Sequence, residues 1–387
     1  MRAIFDAGFT AEPWPVLDRL RREGGVHRVR TPDGPPAWLV TGHAAVRAGL
    51  LDRRLTTRTE YADQRDYRGF TVPPGFGVLL EAAPDEHARL RRLLTAELSP
   101  RRLDDWARRT PDLVDTLLKD LDAQHPVDLV ERLAVPLPAA LLGDLIGLAG
   151  SDREALLRWA NSTLLAPAGQ PLPQSRETLR TMRSIVEQSI EHAAGSDTVL
   201  GRLGAARDQG AMSGEELQGV LFYLLFVWYE VMVDLLAGAI LALLAHPDQL
   251  PVLRAAPARA VDELVRYLSP QLLAGPRFAQ VDLRLGDYTV RAGQTVLLGL
   301  GAANHDPSVF SAPDTLDLRR KRNPHLGLGH GPHACVGTVL IRTITAATLN
   351  HVYSRWPETT LAVEPAAIGW RSGFRHRGPL ALPVHLG

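Results

Sequence analysis

Leu328-Gly329-His330-Gly331-Pro332-His333-Ala334-Cys335-Val336-Gly337 decides how this chain is read, and Cys335 within it is the only cysteine in 387 residues. Gly329, Gly331 and Gly337 permit tight turns and let a flat ligand approach the backbone. The apolar run after Gly337 predicts a helix whose N-terminal dipole points back at the sulfur. Both features favour a thiolate over a thiol. Two other roles compete with that of a metal ligand. A lone cysteine is often a small buried apolar residue, but the glycine and histidine spacing argues otherwise. A cysteine nucleophile would need a histidine distant in sequence, whereas His330 and His333 crowd into the same loop.

The segment resembles the haem-binding signature of the cytochromes P450, Phe-Gly-x-Gly-x-His-x-Cys-x-Gly, with Leu328 in place of the aromatic residue. The resemblance covers essentially the whole chain. It implies a mainly α fold with small β-sheets, residues 1–387 forming a single domain, and haem b bound through Cys335 as the axial iron ligand. Leu328 and Gly329 would then lie against the haem. In the family the aromatic moderates the donor strength of the sulfur, so Leu328 alters that tuning.

The composition fits this expectation. A hydrophobic fraction of 45% supports a large core, and the formal charge of zero excludes the basic footprint of a nucleic-acid binder. One cysteine excludes a disulfide framework, and Met1 to Thr10 holds no secretory h-region, so a soluble cytoplasmic protein is expected. The only lysines are Lys119 and Lys321. Leu217 to Ala245 has the length of a membrane span, but Glu230 and Asp234 interrupt it, and it reads as a long helix buried on nearly every side.

Around these landmarks, Pro13 to Glu23 predicts an amphipathic helix, and His27–Arg30 with Ala37–Val40 predicts a hairpin. Helical periods dominate from Ala44 to Ala245. Strands are expected at Tyr288–Val290 and Thr295–Leu298, separated by an Arg291-Ala292-Gly293 turn, and a last helix follows Cys335.

The resemblance assigns further residues. Glu263 and Arg266, at i and i+3, match the Glu-x-x-Arg element, a buried ion pair. Its usual third member aligns with Thr315, with Arg319 or Arg320 as substitutes. His87, Arg91, Arg277 and His333 would hold the haem propionates through charge-assisted hydrogen bonds. Arg319, Arg320, Lys321, Arg322, Arg92, Arg101 and Arg102 would border the proximal face, where an acidic ferredoxin, served by its reductase, could dock. The loop from Glu60 to Val78, the segment from Leu164 to Pro173, and Leu272 with Leu273 would cover a pocket for an apolar small molecule.

The oxygen-activating stretch of the long helix departs from the family. Trp228, Tyr229, Glu230 and Val231 occupy its catalytic positions: the acid is kept, a tryptophan stands for the glycine and a valine for the threonine. Valine has no proton to deliver. Two functions follow from the resemblance. One is a monooxygenase of bacterial specialised metabolism that oxidises or cyclises an apolar small molecule. The other needs no activation of dioxygen, and forms a C–N bond by nitrene-type chemistry from an N-oxygenated substrate or couples radicals. A non-catalytic helper protein of the same fold is a further alternative, but such helpers have typically lost the cysteine.

Overall fold

The computed structural model describes residues 1–32, 36–63, 77–119, 125–165, 176–371 and 374–387, with the side chains of residues 102, 105 and 176–179 left aside. Residues 64–76 and 166–173 of the two expected pocket loops therefore lie outside the described residues.

The fold is mainly helical with small sheets at one side, as expected. Its axis is one continuous helical stretch from Gly214 to Ala245, capped by Ser213, whose hydroxyl accepts from the Glu216 amide. The stretch is long and apolar enough to cross a membrane, yet most of it is covered by neighbouring helices. Pro136–Leu142, Pro257–Leu268 and Thr338–Arg355 pack against its C-terminal part. Thr338–Arg355 in turn packs along Pro100–Leu118, so the helix leading away from Cys335 is anchored in the main core.

A wide π-turn at Tyr223–Val227 interrupts the axis, where the Trp228 amide reaches back to the Tyr223 carbonyl. Such turns tend to mark functional positions in helices. Here it immediately precedes the expected catalytic residues, so the helix is distorted although the family glycine is gone.

The largest sheet has six strands in the order Arg2–Ala3, Val26–Arg30, Pro36–Val40, Thr295–Leu298, Arg277–Ala279, Leu55–Thr56. The expected hairpin is present, with Arg28 opposite Trp38. Pro36–Val40 then pairs in parallel with Thr295–Leu298, Trp38 facing Val296. The turn at Gly293, whose φ is 85°, does not close a hairpin between the strands on either side of it. Tyr288–Val290 pairs instead with Leu283–Leu285, and the turn redirects the chain into the six-stranded sheet. A three-stranded sheet joins Thr360–Leu361, Pro383–His385 and Val127–Asp128, tying the C-terminal tail to the helical body.

Arg320 completes the Glu-x-x-Arg element. Glu263 and Arg266 are fully buried and joined by two hydrogen bonds of 2.8 Å, while Arg320 Nε lies 3.1 Å from both Glu263 carboxylate oxygens. Arg266 also donates to the carbonyls of Asn304, Pro313 and Thr315. Thr315 therefore contributes a backbone oxygen where the family places a cation, and Arg320 is a structural residue, unlike exposed Arg319, Lys321 and Arg322.

Candidate functional site

Between the cysteine loop, the π-distorted helix and the C-terminal tail lies a cavity of about 1080 Å³. Cys335, Leu328, Gly329, His333, His87, Arg91 and Arg277 all line it, although they come from three separate parts of the chain.

The loop is built by its glycines. Gly329 and Gly331 have φ of 72° and 76°, a region costly for other residues. The Cys335 amide then donates to the Leu328 carbonyl at 2.8 Å, closing the turn. Gly337 has an ordinary φ of −84°, and its role is close packing. A Cβ there would come within 3.3 Å of Trp228 Cδ1 and 3.7 Å of Cys335 Sγ, so the backbone lies flush against both.

The helix starting at Thr338 does not by itself hold Cys335 as a thiolate. Burial pushes the thiol up, outweighing the Gly337 amide, the Arg91 charge and the Thr338 hydroxyl, which all pull down. The loop supplies partial compensation in the expected direction, and a bound metal cation would favour the thiolate further.

One rim of the cavity is strongly basic. The rings of His87 and His333 lie 4.4 Å apart, and Arg277 is only 4% exposed, donating to the Gly275 carbonyl at 2.8 Å. Neither Arg91 nor Arg277 is ion-paired with a described carboxylate. Burial, then the charges of Arg277, His87 and Arg91, drive His333 down to about 3. Burial lowers Arg277 to about 10. Arg91 and Arg277, cations without a described carboxylate partner beside neutral His333, call for an anionic ligand.

Along the central helix, the four expected catalytic residues separate. Trp228, Glu230 and Val231 line the cavity, together with Val227. Tyr229 does not; it is fully buried and its hydroxyl donates to the Val135 carbonyl, because the i+1 position of a helix points to another face. Likewise Leu272 and Leu273 face the core beside Ile4 and Phe9, and their neighbours Gln271 and Ala274 face the cavity.

Glu230 meets a partner that periodicity did not predict. Glu230 Oε2 is 3.2 Å from His376 Nδ1, and its other oxygen is 3.7 Å from Arg371. Four residues along the helix, Asp234 Oδ1 is 2.9 Å from Arg371, although the pair lacks hydrogen-bond alignment. His376, Arg371 and Coulomb attraction from Arg375 hold Glu230 down at about 2 against burial, whereas burial and the Glu230 charge push Asp234 up to about 6. Glu230 raises His376. The cluster Arg371-x-x-x-Arg375-His376-Arg377 was the available sequence signal, but its destination depends on how the tail folds back.

The family model described as Cytochrome P450 matches residues 245–355. The monooxygenase PikC of Streptomyces venezuelae is 34% identical over 97% of this chain and 91% of its own length. This chain belongs to the cytochrome P450 family. The solved structure of the tirandamycin C-bound monooxygenase TamI superposes with a TM-score of 0.89 at 31% identity, covering 100% of both chains. CxnD, an enzyme for C–S bond formation in chuangxinmycin biosynthesis, superposes with a TM-score of 0.83 at 27% identity over 100% of this chain and 99% of its own. This cytochrome P450 is an oxidoreductase, and membership implies a haem with a cysteine thiolate ligand.

Proposed function

We propose that this cytochrome P450 is a haem-thiolate monooxygenase of bacterial specialised metabolism, with Cys335 as the iron ligand. The observation that carries the reading is the single cavity in which Cys335 forms the floor and His87, Arg91, Arg277 and His333 form an unpaired basic rim. These residues fit haem b: Arg91 and Arg277, with no described carboxylate partner, match two propionates beside Cys335 in the same cavity. When bound, the haem supplies the redox chemistry of the reaction.

The chain's own residues bind, exclude water and hold protons. Val231 presents no hydroxyl, so the proton store is moved to the Glu230–His376 pair. Near neutral pH Glu230 is ionised, and its charge favours the protonated form of His376, whose Nδ1 faces the carboxylate. Trp228, Val227 and Leu224 make that side of the cavity apolar. Electrons arrive from an acidic ferredoxin and its reductase, docking on exposed Arg92, Arg101, Arg319, Lys321 and Arg322.

A second reading, turnover without dioxygen, is favoured by the Trp228–Val231 wall, and one structural neighbour forms C–S bonds. Turnover under ¹⁸O₂ separates the two. One labelled oxygen atom in the product supports monooxygenation; full turnover under argon with an N-oxygenated substrate supports the second reading.

A further inference from the structure

Arg375 is a cation on the cavity wall whose charge acts on Glu230 but which pairs with no described carboxylate. It lines the cavity on the side of Glu230, half-buried, and its backbone is fixed because its carbonyl accepts from the Leu272 and Leu273 amides at 2.7 and 3.4 Å. Its guanidinium carbon lies 5.6 Å from the centre of the Phe374 ring. The charges around it are already matched with others. Glu230 faces His376 and Arg371, Asp234 faces Arg371, and Arg377 donates to the Ala11 carbonyl. Among the described residues no carboxylate is ion-paired with Arg375. Arg277, also without a described carboxylate partner, lines the same cavity and acts on Tyr223 as well.

Tyr223, in the π-turn, lines the same space, and the charges of Arg277 and then Arg375 act on it. Burial pushes its phenol up, so it stays a neutral donor at physiological pH. Around these two polar heads the lining is apolar, including Val220, Leu224, Phe226 and Ile368. A half-buried guanidinium on a largely apolar cavity wall with no carboxylate paired to it is left to bind a ligand that brings one. Its fork matches a carboxylate in two parallel hydrogen bonds.

We propose that Arg375, assisted by the Tyr223 hydroxyl, is a subsite for a carboxylate at one end of an otherwise apolar substrate. The proposal rests on the haem-enzyme reading and narrows its substrate class from apolar molecules to apolar acids. The carboxylate fixes the substrate's end at the C-terminal tail, so its body extends along the apolar wall of Leu224 and Val227 past the sulfur side of the cavity.

The test is calorimetric binding of matched pairs, decanoic acid against methyl decanoate and indole-3-propionic acid against its methyl ester, to haem-loaded protein. Each acid is expected to bind the wild type about 30-fold more tightly than its ester, as a lost hydrogen bond to a charged group predicts. Arg375→Gln abolishes that preference and leaves ester binding unchanged, and Arg375→Lys keeps part of it. Tyr223→Phe weakens acid binding by about fivefold. Equal binding of acid and ester by the wild type, or a preference that survives Arg375→Gln, overturns the proposal. So does Arg375→Gln protein that purifies with less haem than the wild type, because the arginine then serves a haem propionate. If Arg375→Gln fails to fold, Arg375→Lys and the wild-type pairs decide. Wild-type protein that takes up no haem contradicts the enzyme reading itself, a result separate from any acid preference.

Discussion

His376, on the C-terminal tail, places its Nδ1 3.2 Å from the carboxylate of Glu230, on the distorted central helix, and both side chains face the cavity. Each stabilises the charged form of the other. The Glu230 contribution is present above pH 4.5 and is lost as pH falls through about 2. The His376 contribution is complete below its unfolded value of 6.5 and is lost as pH rises through its higher folded value. Nitrogen-15 NMR of labelled histidine should place His376 above 6.5 in the wild type. In Glu230→Gln the burial of the ring should dominate and bring it below that value; an unchanged titration would disprove the pairing.

If His376 is the proton store, removing it should affect how efficiently electrons reach product. His376→Leu should lower product formed per reducing equivalent by about 100-fold, in the range of a lost general acid. Adding Val231→Thr to that variant should recover part of the loss, since it restores a hydroxyl one residue from Glu230. Coupling that is unaffected by His376→Leu would refute the role.

Much of this site was legible in the sequence because local spacing carried it. The glycines and His333 around Cys335, and the i and i+4 placement of His87 and Arg91, are local patterns, and the structure gathers these residues around one cavity. The unread parts depend on long-range return of the chain. Tyr229 was misplaced because a run apolar on every side carries no phase information, and the π-turn at Tyr223–Val227 shifts the phase again. His376, Arg371 and Arg375 reach the cavity through a tail held by isolated bridges such as Gln271 with His376, which no periodicity announces. The same holds for Thr295–Leu298, which was legible as a strand but not as a partner of Pro36–Val40.

The basic segment around Lys321 should divide into two functional classes. Arg320→Met removes one of two cations from fully buried Glu263 and should cost about 3 kcal/mol of stability, the lower end for breaking a buried pair. Lys321→Glu and Arg322→Glu lie on exposed positions and should change stability by less than about 0.5 kcal/mol. They should slow reduction by an acidic ferredoxin, most strongly at low salt. Denaturant unfolding and stopped-flow reduction of the same variants check both halves. A stable Arg320→Met, or reduction rates insensitive to the two reversals, would contradict the division.

Asp234 predicts a pH dependence of stability with the opposite sign from ordinary carboxylates. Burial and the Glu230 charge raise it from 3.8 to about 6 in the folded chain, against the pull of Arg371. Its contribution is complete below pH 3.8 and is lost as pH rises through about 6, a difference of up to about 3 kcal/mol. Asp234→Asn should flatten this part of the curve. Urea unfolding at pH 5 and pH 7.5 measures it, and an Asn variant with the full wild-type slope would show that another group is responsible.

The central claim is that Cys335 binds haem iron as a thiolate while the opposite face stays open. The most direct measurement is the optical spectrum of the purified protein, ferric and then reduced under carbon monoxide, beside that of Cys335→Ser. The account predicts a red-shifted, thiolate-type Soret band in the wild type and its loss in the serine variant. Haem bound without that band, or a band that persists without Cys335, would contradict it.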